Sequence, residues 1–128
     1  MLLAMTQEEF VVVVKQVVFD PAVSEKVLQS PALVRMWDWY TGLPERDQAF
    51  VRHTMRIAAY GAVFNFFAAL DGSAVIDNLH GRLRLTYLGP DGSEQPLNLT
   101  DQVGIAEVDE LHALWTNEVF PYTEALPD

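Results

Sequence analysis

Between Pro44 and Leu70 no proline interrupts the chain, and Asp71-Gly72 follows as a terminator, so this stretch can be one unbroken helix and little else. Phe50, Ile57 and Phe64 recur at intervals of seven, as do His53, Tyr60 and Phe67, which draws one apolar seam along it. Thr54, Gly61 and Ala68 beside the seam admit a close neighbour helix. Glu45, Asp47, Gln48, Arg52 and Arg56 keep one side of the first half polar. From Ile57 to Leu70 the segment is apolar nearly all round, so its second half is expected to be the central core element, with the rest of the chain wrapped around it or a second copy covering part of it.

The segments before it also read as helices. Thr6 with Glu9 makes a capping-box pattern, after which Phe10, Val13, Val14, Val17 and Val18 share a helical face, although four consecutive valines also suit a strand. Asp20-Pro21 and Ser30-Pro31 each supply an N-cap residue followed by proline, predicting short helices near 21–29 and 31–40 with Thr41-Gly42 as the stop.

After the long helix the period changes. Leu83, Leu85 and Tyr87 alternate with Arg82, Arg84 and Thr86, then Gly89-Pro90-Asp91-Gly92 turns the chain and Leu97 and Leu99 alternate again. Ile105, Val108, Leu111, Trp115 and Val119 trace a last helical face, stopped by Pro121. The expected class is α+β: a mainly helical single domain spanning 1–128, with a long central helix at about 44–70, one antiparallel β-hairpin at about 82–99 and a C-terminal helix at about 105–119. At 128 residues, with 7 Phe, 4 Tyr and 3 Trp, such a chain carries enough apolar mass to hold its own core.

Composition narrows function mostly by exclusion. No cysteine is present, so disulfides, thiolate metal sites and thiol nucleophiles drop out. The net charge of −10 argues against holding nucleic acid or an anionic membrane. That charge is lopsided, because past Arg84 there is no lysine or arginine while carboxylates continue to Asp128. If that part folds to one side, it presents a negative field suited to basic partners; the plainer reading is that the carboxylates keep the domain soluble. No signal-peptide pattern opens the chain, and the apolar run Ile57–Leu70 falls short of the ~20 residues of a membrane span, so a cytoplasmic location is expected. Asn98-Leu99-Thr100 matches a glycosylation sequon, read here as coincidence.

No phosphate-binding glycine loop, nucleophile elbow or HExxH pair occurs. The best chemical candidate is Asp109 with His112, three residues apart on the last helix, where a carboxylate and an imidazole can share a metal or a proton; His80 and His53 complete a site on paper. Glu110 is expected to point elsewhere. The plainer reading is a solvated acidic face with a histidine at its edge, His53 as a bonded core residue, and Asn65 as a satisfied polar group that fixes helix pairing. Arg52 and Arg56, one turn apart, could grip an anion, but pairing with Glu45, Asp47 or late carboxylates is the simpler expectation. Trp37 and Trp39 cannot face the same side of one helix, so at least one should lie near the surface, where large aromatics favour partner contact.

In composition the chain resembles small bacterial interaction proteins such as immunity or antitoxin-type inhibitors, which implies a non-catalytic domain binding a basic protein partner and no cofactor. The binding residues expected on this reading are Asp91, Glu94, Glu107 and Glu110, with Trp37 or Trp39 as aromatic anchor. Two alternatives stand beside it: a small metal-binding or hydrolytic enzyme using His112, Asp109 and His80, and a self-associating helical protein that forms a homodimer through Ile57–Leu70.

Overall fold

A computed structural model of the chain describes residues 5–72, 83–98 and 110–119. The order of regular helices and strands is α1 (Gln7–Val14), α2 (Asp20–Val23), α3 (Val34–Thr41), α4 (Glu45–Leu70), β1 (Thr86–Leu88), β2 (Glu94–Pro96) and α5 (Leu111–Val119). The α+β class, the long helix, the antiparallel hairpin and the C-terminal helix are all present. The predicted stretches 82, 99 and 105–109, at the margins of the hairpin and last helix, lie outside the described residues.

Thr6 caps α1 as its spacing demands, its hydroxyl accepting from the Glu9 amide at 3.1 Å. Asp20, in contrast, is not an N-cap. The backbone stays right-handed helical from α1 through a π-helical turn at Lys15–Phe19 into α2, and the Asp20 carboxylate takes Lys15 Nζ at 3.2 Å instead. The widened turn has a local cause: Pro21 lacks an amide and its ring would crowd the carbonyl four residues back, so the helix opens just before it. The real break comes at Ser24, whose extended backbone (ψ 135°) ends α2 and whose hydroxyl accepts from the Lys26 amide at 3.3 Å. The two predicted short helices are therefore a helical turn plus a 3-10 segment, Glu25–Gln29, and a second 3-10 segment, Pro31–Leu33, leading into α3. Ser30 makes no side-chain cap.

The core centres on Trp115 of α5, fully buried, with Phe19, Tyr60 and Phe67 around it at ring-centroid distances of 5.4, 6.2 and 6.0 Å. Its indole Nε1 donates to the Tyr60 carbonyl at 3.2 Å, so the ring's polar atom is satisfied inside the core. Val11, Leu70, Leu111 and Val119 complete the buried cluster. The expectation that the second half of α4 is buried on every side is corrected. Phe67, Ala68 and Leu70 are buried, but Ile57, Ala58, Ala62, Asn65 and Phe66 are exposed. The reason is geometric: 26 residues make a rod of about 39 Å, as long as a domain of this size is wide, while α5, α1 and α2 contribute only short segments to pack against it. Asn65 is exposed and fixes no helix pairing among the described residues.

The hairpin pairs Thr86 with Pro96, Tyr87 with Gln95 and Leu88 with Glu94. Gly92 sits at φ 84° in its turn, a conformation that excludes most side chains and accounts for glycine there. The hairpin is tied down by Asn98, 1% exposed, whose Oδ1 accepts from the Leu85 amide at 2.8 Å while Nδ2 donates to the Leu70 carbonyl at 2.7 Å and the Leu83 carbonyl at 2.8 Å. This side chain joins both strand flanks to the end of α4, and its burial removes it as a glycan acceptor in the folded chain. Gln7 of α1 donates to the Leu97 carbonyl, fastening the hairpin to the first helix as well.

Candidate functional site

Among the described residues, chemistry-bearing side chains gather where α4 ends and α5 begins. Asp71 terminates α4, and Gly72 behind it takes φ 78°, which turns the chain sharply. The Asp71 side chain is fully buried. Its Oδ2 accepts from the backbone amide of His112 at 2.9 Å and from His112 Nδ1 at 2.8 Å. The other face of the arrangement is His112 Nε2, 3.3 Å from Glu110 Oε2, and the edge of the imidazole meets the Phe64 ring at 5.4 Å. Asp71 Oδ1 has no hydrogen-bond partner among the described residues.

Thus Asp71, at the end of another helix, holds His112. Asp109, His80 and Glu107 lie outside the described residues. The expectation that Glu110 points away is corrected: the carboxylate folds back onto the imidazole because it precedes the first turn of α5 and shares its solvent-facing edge. His53 is half-buried on α4. Among the described residues, no three histidines or carboxylates are placed to hold a metal ion.

A buried carboxylate on Nδ1 is the orienting half of an acid–base dyad, in which Nε2 faces the substrate. Here Nε2 faces Glu110, and Asp71 serves a second purpose that accounts for its position: it accepts from a first-turn amide of α5 and so caps that helix from another element. Thr116 continues the link, with its hydroxyl donating to the His112 carbonyl at 3.0 Å and lying 2.9 Å from the Tyr60 hydroxyl. The cluster bolts α5 to α4 at two levels.

Sequence inspection missed Asp71 because it was accounted for as a helix stop, and its partner is 41 residues away with no local pattern linking them. The two arginines do not form a joint anion grip. Arg52 bridges Glu45 Oε1 (3.1 Å) and the Tyr40 hydroxyl (2.9 Å), whereas the Arg56 guanidinium lies 5.2 Å over the Phe19 ring. Tyr40 is buried, and its hydroxyl donates a hydrogen bond to Glu25 Oε2 at 2.9 Å. Burial, more than either neighbour, raises its phenol above the ordinary value.

The residues expected to bind a partner divide by exposure. Asp91 and Glu94 are exposed on the hairpin, beside Leu88, which is 67% exposed and pairs across the strands with Glu94. The Ser93 hydroxyl (2.6 Å) and then its amide (3.0 Å) donate to Asp91 and hold that carboxyl below the usual range, so it stays charged into acid. Trp37 is half-buried with its ring 5.8 Å from Tyr40, and Trp39 is the more exposed of the pair at 56%. Among the described residues, no helix is long and apolar enough to cross a membrane. Comparison with protein-family models, with curated proteins and with solved structures found no match.

Proposed function

We propose that this chain is a protein-interaction domain that receives a basic partner on the tip of its hairpin. The observation that carries the reading is Leu88, a large aliphatic side chain left mostly in solvent and set directly opposite Glu94, with the exposed carboxylate of Asp91 in the adjoining turn. An exposed apolar centre rimmed by carboxylates matches the stem and head of lysine or arginine, whose methylenes pack on the leucine while the cation meets the acids. Trp39 offers an exposed aromatic anchor on α3. The Asp71–His112 pair is read as structural on this view, since its bonds hold α5 in place.

A fluorescent deca-arginine peptide is a suitable probe, titrated at salt from ~20 to ~300 mM. Removal of the tip by Leu88→Ser with Glu94→Gln should weaken binding about fivefold or more at low salt. Control replacements of Glu8 and Glu9 by glutamine, which neutralise two charges on α1 against the one lost at the tip, should leave it within about twofold. Equal losses from tip and control variants would mean that net charge alone attracts the peptide, and the reading would fall.

A further inference from the structure

A surface other than the hairpin carries a second assignment. Along α4, Phe50, Thr54, Ala58, Ala62 and Phe66 follow one another at intervals of four residues, and all five are exposed. Residues four apart form a single ridge on a helix, the ridge that interlocks when two helices pack through their i±4 rows. This ridge reads large, small, small, small, large, and is symmetric about Ala58. The Thr54 hydroxyl is already satisfied by the Phe50 carbonyl at 2.9 Å, so burying that side chain strands no hydroxyl.

We propose that this face docks a second copy of the chain, with the two α4 helices antiparallel and a two-fold axis at Ala58. A two-fold interface requires that residue i meet j while j meets i. Positions equidistant from Ala58 then meet: Phe50 of each copy packs on Phe66 of the other, Thr54 on Ala62, and Ala58 on itself. Small residues at the three middle positions allow the axes to approach to about 8 Å. Ile57 beside the ridge is 46% exposed, and an added Cβ at Gly61, one turn further on, would meet nothing within 4 Å.

Charge selects the antiparallel sense. Every formal charge of α4 lies at or before Arg56, and Arg46 continues the ridge with its guanidinium 5.7 Å over the Phe50 ring. Antiparallel pairing carries Arg46 to the partner's carbonyl-rich helix end, where a cation is favoured. Parallel pairing would set Arg46 against Arg46. The area sets the strength. With Phe50 37% and Phe66 62% exposed, the ridge and Ile57 bury on the order of 400 Å² per copy, about half of a standard interface. The dimer is therefore a weak one, forming at about 0.1–1 mM chain.

Sedimentation of the full chain from ~10 µM to ~1 mM should show the average mass climbing from 14.4 kDa toward twice that value, and Ala58→Arg should hold it at the monomer mass. The absence of cysteine provides a sharper test. Under mild oxidation Ala58→Cys should cross-link to itself at least about tenfold faster than Thr54→Cys or Ala62→Cys alone, while a mixture of the latter two should form a heterodimer. A wild-type chain that stays at 14.4 kDa throughout would overturn the proposal. So would self-linking at 54 and 62 as fast as at 58, which signals parallel pairing, where each residue meets its own copy. Loss of folded circular dichroism in Ala58→Arg would also overturn it, because the position would then be covered within the chain.

Discussion

One oxygen of Asp71 accepts both the backbone amide and the ring Nδ1 of His112, so a residue that stops one helix also starts another. The pair spans 41 positions of sequence and closes α4 against α5 at the edge of the Trp115 core. Because the carboxylate is fully buried, these bonds replace water that cannot reach it.

The two halves of this link are unequal. Asp71→Ala removes both bonds, whereas His112→Ala removes only the ring's and keeps the amide for Asp71 to cap. Chemical denaturation should therefore give a loss of about 2–4 kcal/mol for Asp71→Ala and a smaller loss, about 1–2 kcal/mol, for His112→Ala. Equal losses would show that the helix cap contributes nothing.

The tryptophans should separate cleanly by position. Trp115→Phe keeps an aromatic ring in the cluster but loses the bond to the Tyr60 carbonyl and some volume, and should cost about 2–3 kcal/mol; Trp115→Ala should approach 3–5 kcal/mol. Trp39→Ser, at an exposed site, should stay within about 0.5 kcal/mol in thermal melts.

Asn98 is replaceable by neither its acid nor a short apolar residue. Asn98→Asp exchanges the amide donor for a buried charge facing the Leu70 and Leu83 carbonyls, and Asn98→Ala leaves those carbonyls and the Leu85 amide unmet. Each should cost about 2 kcal/mol or more, with the aspartate variant the worse of the two. Hydrogen exchange would check the cause, since Leu85 should lose protection first.

Tyr40 gives the fold an alkaline limit. Its phenol is raised in the folded chain, so the unfolded chain loses that proton first as pH climbs. The stabilisation is complete below the ordinary value of 10.0 and declines as pH rises above it toward the folded value. The melting temperature of the wild type should therefore fall above about pH 10, and Tyr40→Phe should show a shallower fall while being less stable at neutral pH by about 1–2 kcal/mol for the bonds to Glu25 and Arg52.

The helices were legible in the sequence because their signals are local. The Thr6 cap, the proline-free run after Pro44, the glycine at 72 and the turn at 89–92 each act on backbone within a few residues, and each operates as its chemistry requires. Local reading went astray where two local signals competed. Asp20-Pro21 has the form of a helix start, yet a π-turn lets the preceding helix absorb the proline, and the break passes to Ser24. Of the candidate site, His112 stood out in the sequence, but periodicity along one helix could say nothing about Asp71, 41 residues away at the end of another; its expected partner Asp109 lies outside the described residues.

Sequence alone determined the element types, their order and the uneven distribution of charge, since these follow from propensity, capping and composition. Tertiary structure decided which face of α4 was covered, which carboxylate held His112, and that Asn98 belonged to the interior. Hydrophobic periodicity marks a face as able to be buried, but three short helices cannot cover a rod about 39 Å long, so packing chose the end of α4 around Phe67 and left Ile57 and Phe66 in solvent.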